Sequence, residues 1–145
     1  MGMLSTRQRW LYRAALLHDV GKLGVSNTIL DKPGSLDERE WEAMRGHASH
    51  TQAILGRIKV LADIAPIAAA HHERLDGTGY PLRLEESQIS RETRIITVCD
   101  FYDALTSDRP YRAAMSRDEA LAIMTAESGK AIDPDCLAAL RSISA

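Results

Sequence analysis

Imidazoles and carboxylates gather in separated segments of this chain. His18-Asp19 precedes Val20-Gly21-Lys22, His47 follows in a separate segment, and His71-His72-Glu73 runs into Asp76-Gly77-Thr78-Gly79-Tyr80-Pro81. Such groups converging from several helices make a transition-metal site. Lys22, about one helical turn after His18, adds a cation where a phosphate could lie against the metals. The residues read first as a metal-dependent hydrolase of a phosphate ester.

Neighbours on a helix point about 100° apart. His18 and Asp19 can therefore reach one ion only near a helix end or beside an ion at the level of the axis, with Asp19 free to bridge two ions. A helix-terminal Asp beside a core-facing His is the plainer alternative. His71 and His72 diverge in the same way, and the apolar run Ile67 to Ala70 places them at the edge of a buried segment. Asp100 follows the apolar run Ile95 to Cys99. A carboxylate there is costly unless it is paired or holds a metal.

The elements that must position these groups are helical. Ser5 with Gln8, Ser35 with Glu38 and Ser116 with Glu119 have capping-box spacing. The first predicts a helix as far as His18, and the second one through His47 and Leu55. A third helix is predicted from Ala62 to about Arg74, with Pro66 in its first turn, where proline is tolerated. Two glycines and a proline make Asp76 to Pro81 a loop. Ser90 can cap a helix through Phe101 and Leu105, although Arg94 to Val98 also reads as a strand. Gly129 is a candidate C-cap, and Asp133-Pro134 opens a last helix. The reading is an all-α fold of about six helices.

The 145 residues suit one domain with a real core. A net charge of −2 gives the chain no pull on nucleic acid or anionic membrane. No apolar run approaches the roughly 20 residues that span a bilayer. Cys99 and Cys136 are too few for a disulfide framework, and no secretory signal is present. These features lead to the expectation of a cytoplasmic domain.

Taken in order, the blocks resemble the HD-GYP family, a branch of the HD phosphohydrolase superfamily. They are Ala14 to Lys22, Ile29 to Leu36, Trp41 and Met44 ahead of His47, His71 to Pro81, and Asp100 to Arg112. The resemblance implies a single all-α HD-type domain over residues 1–145 with a Gly-Tyr-Pro loop. It implies hydrolysis of cyclic di-GMP to linear pGpG, and in some members on to GMP. His18, Asp19, His47, His71, His72 and Asp100 become ligands of two divalent ions, iron or manganese, with Asp19 bridging them. Zinc is not excluded by ligand type. His50 falls where the family places no ligand.

Lys22, Arg109 and Arg112 become the phosphate-contacting cations by the same resemblance, and Tyr80 a ring for stacking. The alternatives are a surface lysine, salt bridges of the arginines to Asp103 and Asp108, and a Tyr80 that only wedges its loop. Asp103 either orients a neighbour or bonds Ser107. Family members carry a further helix upstream with a histidine and often a glutamate. The seventeen residues before His18 contain neither. The expectation is therefore a domain lacking that helix, with the ion near His18 and Asp100 weakly held and turnover impaired. The alternative is a degenerate module that binds nucleotide or a partner protein without turnover. A mononucleotide-cleaving HD enzyme fits the Gly-Tyr-Pro loop poorly. Implied partners are cyclic di-GMP, a GGDEF-type signalling domain, and an upstream sensory or receiver domain.

Overall fold

The computed structural model describes residues 5–108 and 112–143. Among them it has seven α-helices and only isolated β-bridges, so the all-α reading holds. The chain forms two compact units, Met1–His72 and Glu73–Ala145.

The first unit contains α1 (Ser5–Leu17), a 3-10 turn (Val20–Gly24), α2 (Asn27–Leu30), α3 (Glu38–Gly56) and α4 (Ala65–Ala69). The α3 cap is Asp37, not the expected Ser35. Asp37 accepts from the Glu40 N–H, Glu40 accepts from the Asp37 N–H, and Lys32 holds Glu40 at 2.5 Å. An aspartate with a glutamate three residues on offers the same reciprocal bonds as Ser with Glu. The short helix α2 is an element the sequence reading lacked. Its cap is Ser26, whose hydroxyl accepts from the Thr28 N–H.

α4 is far shorter than the expected Ala62 to Arg74. Pro66 does sit in its first turn. At the other end the His71 ring takes the Ala68 carbonyl, an acceptor that a continuing helix would use for its own ladder. His71 and His72 thus lie in a turn beyond α4. Ala48, Leu55, Ile64, Ala65 and Ala68 are buried in this unit. Small side chains along α4 let the backbones of α3 and α4 approach closely.

The second unit contains a 3-10 turn (Glu86–Gln88), α5 (Arg91–Thr106), α6 (Arg117–Ala126) and α7 (Pro134–Ile143). Ser90 caps α5, Ser116 and Glu119 form the α6 capping box, and Pro134 begins α7, all as the sequence suggests. The strand alternative for Arg94 to Val98 is lost to α5. α6 ends at Ala126, and Gly129 follows in a positive-φ turn rather than directly at the cap. Val98, Leu121, Met124, Ile132 and Leu137 pack as the core of these three helices. Cys99 and Cys136 are free thiols. No helix of the described residues is long and apolar enough to cross a membrane.

Candidate metal centre

α1 ends at Leu17, so His18 and Asp19 leave the helix and are freed from its 100° divergence. The turn that follows packs on α3 through Gly21, which is buried. A Cβ at Gly21 would overlap the His47 carbonyl and stand 2.5 Å from the Thr51 nitrogen, so only glycine lets the turn come this near. Thr51 completes the joint. Its hydroxyl donates to the His18 carbonyl at 2.9 Å and accepts from the Gly21 N–H at 3.0 Å. This joint sets the His18-Asp19 pair against the α3 face that carries His47.

The imidazoles then turn towards Asp19. Nε2 of His47 lies 3.4 Å from Asp19 Oδ1, Nε2 of His71 3.8 Å from the same oxygen, and Nε2 of His18 3.5 Å from Oδ2. Asp19, His47, His71 and His72 each offer one ligand atom, and these atoms all lie within 4.8 Å of one another. The His71 and His72 rings are 4.0 Å apart and tilted 45° to each other.

Three histidines share one device. Nδ1 bonds the carbonyl three residues earlier: His18 to Ala15 at 2.7 Å, His47 to Met44 at 2.6 Å, and His71 to Ala68 at 2.6 Å. A carbonyl can only accept, so Nδ1 carries a proton, and in the neutral ring Nε2 is then the nitrogen with the lone pair. Backbone carbonyls orient metal-binding imidazoles in this way. Burial lowers the His47 pKa, outweighing the Met44 carbonyl and the Asp19 charge, and favours that neutral ring. Burial works to raise the Asp19 pKa, but the Lys22 hydrogen bond and the Lys22 charge hold the carboxyl below the usual carboxylate range. One anionic carboxylate and three imidazoles fit a divalent iron, manganese or zinc ion.

Lys22 Nζ is 2.5 Å from Asp19 Oδ2, at the edge of this donor set. His50 is exposed, with its ring against Gly24. In the second unit Asp100 is half-buried on α5, and Tyr80 is half-buried ahead of a cis bond to Pro81. Arg112 Nη2 donates to the Ala104 and Leu105 carbonyls, and so tethers the end of α5 rather than pairing with Asp103 or Asp108. Asp103 accepts from the Ser107 hydroxyl at 3.2 Å, its plainer alternative. Arg109 lies outside the described residues.

Two residues of structural weight escaped the sequence reading. Thr51 is one. Glu73 is the other: buried to 2% exposure, it accepts the Leu82 N–H at 2.6 Å and the Leu84 N–H at 2.8 Å. It fixes the strand of chain leaving the Gly-Tyr-Pro loop. Glu73 stood in the His71-His72-Glu73 block with no role given by its spacing, and for Thr51 there was no signal.

The HD domain family matches residues 1–136. The 3'3'-cGAMP-specific phosphodiesterase 3 of Vibrio cholerae is 59% identical over 91% of this chain and 29% of its own length. The cyclic di-GMP phosphodiesterase response regulator RpfG of Xanthomonas campestris is 40% identical over 97% of this chain and 38% of its own length. Among solved structures, the cyclic GMP-AMP specific phosphodiesterase V-cGAP3 of V. cholerae has a TM-score of 0.53 at 50% identity, covering 97% of this chain and 31% of its own. The chain thus spans about a third of the length of these relatives.

Proposed function

The chain belongs to the HD domain family, as a member of HD-GYP type, and on that premise we propose that it is a metal-dependent phosphodiesterase of cyclic dinucleotides. The observation that carries the reading is the meeting of Asp19, His47, His71 and His72 with all ligand atoms within 4.8 Å. In this reading those four residues would hold a divalent ion. His18 in the first unit and Asp100 in the second remain metal ligands by the family resemblance alone. Bound divalent ions supply Lewis acidity and a water of lowered pKa.

The chain's own groups do the rest. The Ala15, Met44 and Ala68 carbonyls fix the imidazole rings through Nδ1 and leave Nε2 aimed at Asp19. Lys22, with three N–H donors, can keep one on Asp19 and turn another to a non-bridging phosphate oxygen, where charge builds during cleavage. Arg109 and Arg112 are further candidates for the phosphates. For Arg112 the donors would be Nε and Nη1, since Nη2 is spent on α5. Tyr80 is the candidate stacking ring.

The resemblance pointed to cyclic di-GMP, with linear pGpG and then GMP as products. A relative at 59% identity is named for 3'3'-cGAMP, which makes that molecule an equal candidate substrate. The two share a 3',5'-phosphodiester ring and differ in one base. The test is turnover of both, side by side, by protein loaded with manganese or ferrous iron. The expected products are linear dinucleotides. Absence of turnover with either substrate sinks the enzymatic reading, and tight binding without turnover would replace it with that of a nucleotide-binding module.

A further inference from the structure

Beside the Asp19 carboxylate the first unit opens into a cleft of about 490 Å³. The end of α1, the 3-10 turn and α2 form its walls. Leu16, Val20, Leu23 and Leu30 make the apolar lining, and Asp19, Lys22 and Asn27 supply polar groups. That balance is typical of small-molecule sites, which measure roughly 300–1,000 Å³ and are mostly apolar with a few polar groups. Leu16 and Leu23 are 64% and 84% exposed. Both stand in the cleft lining and leave apolar surface within reach of a ligand.

We propose that this cleft receives a purine base of the cyclic dinucleotide. The proposal rests on the cyclic-dinucleotide reading above and adds a location to it. Asp19 and Lys22 belong to the cleft and to the donor set alike. A phosphodiester drawn to Lys22 therefore carries its attached nucleoside to the cleft mouth. Aliphatic walls cover the faces of a flat base. The Asn27 amide presents a donor and an acceptor together, the pattern that pairs with a purine edge. An acyl chain would use the leucines but neither Asn27 nor Lys22, whereas a base joined to a phosphate uses all of them.

The test is calorimetric binding of phosphorothioate analogues of cyclic di-GMP and 3'3'-cGAMP, which resist cleavage, to the manganese-loaded protein. Leu23→Asp should weaken both by about ten-fold or more, the scale on which an apolar pocket discriminates. Asn27→Ala should change the ratio of the two affinities, which a merely structural role would not do. Val60→Asp is the control: Val60 is 76% exposed in the connection between α3 and α4, away from the cleft, and this variant should bind as the parent does. Unaltered binding by both Leu23→Asp and Asn27→Ala overturns the cleft assignment and leaves the hydrolase reading standing. Binding that shows the expected losses in a protein without turnover does the reverse. A parent protein that binds neither analogue overturns both.

Discussion

Nε2 of His47 faces Asp19 Oδ1 at 3.4 Å, while its Nδ1 is held 2.6 Å from the Met44 carbonyl. The pair joins the end of α1 to the middle of α3, and both groups are held ready before any ion arrives. Asp19 stays anionic and His47 neutral, the protonation states that ligands need. The fold obtains this by letting α1 stop at Leu17 and by seating the next turn on α3 through Gly21.

Gly21→Ala should therefore damage the joint. The new methyl meets backbone, which cannot step aside as a flexible side chain can. A loss of roughly 1–3 kcal/mol is expected in urea unfolding, as for other overpacked sites, together with weaker manganese binding. Gly56→Ala is the contrast, because its Cβ would meet only Gln52 Nε2 at 3.9 Å, and it should be neutral. Equal tolerance of both substitutions would contradict the packing account.

Thr51→Val keeps the volume but removes the hydroxyl that serves both His18 and Gly21. Leaving two buried backbone groups unserved should cost about 1–3 kcal/mol. An unchanged melting temperature would show that the hydroxyl holds nothing.

Glu73→Gln tests the loop anchor. A carboxylate accepts both the Leu82 and Leu84 N–H groups, whereas an amide must present its own N–H₂ to one of them. Faster amide hydrogen exchange at Leu82 and Leu84 is expected, with destabilisation of about 1–3 kcal/mol. Unchanged protection at both amides would remove Glu73 from that role.

The caps were legible in the sequence because their chemistry is local. Ser90, the Ser116 and Glu119 pair, and Asp133-Pro134 act on residues within one turn, and each stands where its spacing places it. Asp37 was missed because Ser35 offered the same spacing two residues earlier. The early stop of α4 was hidden, since it accompanies a bond between the His71 ring and the Ala68 carbonyl that helix propensity does not register. The donor set was legible as residue types, and the fold brings Asp19, His47, His71 and His72 together. The Gly21 and Thr51 joint that makes the meeting possible was not, because a glycine's close approach and a threonine's two bonds exist only after α3 is packed.

Asp133 provides a pH test in the second unit. Burial works to raise its pKa, but Arg94 at 2.9 Å and the Cys136 N–H hold it below 3.8. A carboxylate so depressed stabilises the fold fully above its unfolded value and loses that contribution as pH falls through its folded value. Asp133→Asn keeps a cap but loses the ion pair, and should cost about 1 kcal/mol near neutrality. Asp133→Ala loses the cap as well, adding about 1 kcal/mol. The gap between parent and Asp133→Asn should close as the pH is taken below 3.8. A gap that persists there would assign the effect to packing instead of charge.

The most direct measurement is product formation from cyclic di-GMP and 3'3'-cGAMP by the manganese- or iron-loaded parent protein and its Asp19→Ala variant, each with circular dichroism to verify helix content. Linear dinucleotide is expected from the parent, with loss on chelation and no product from Asp19→Ala at unchanged helicity. Undiminished hydrolysis by Asp19→Ala would contradict this expectation.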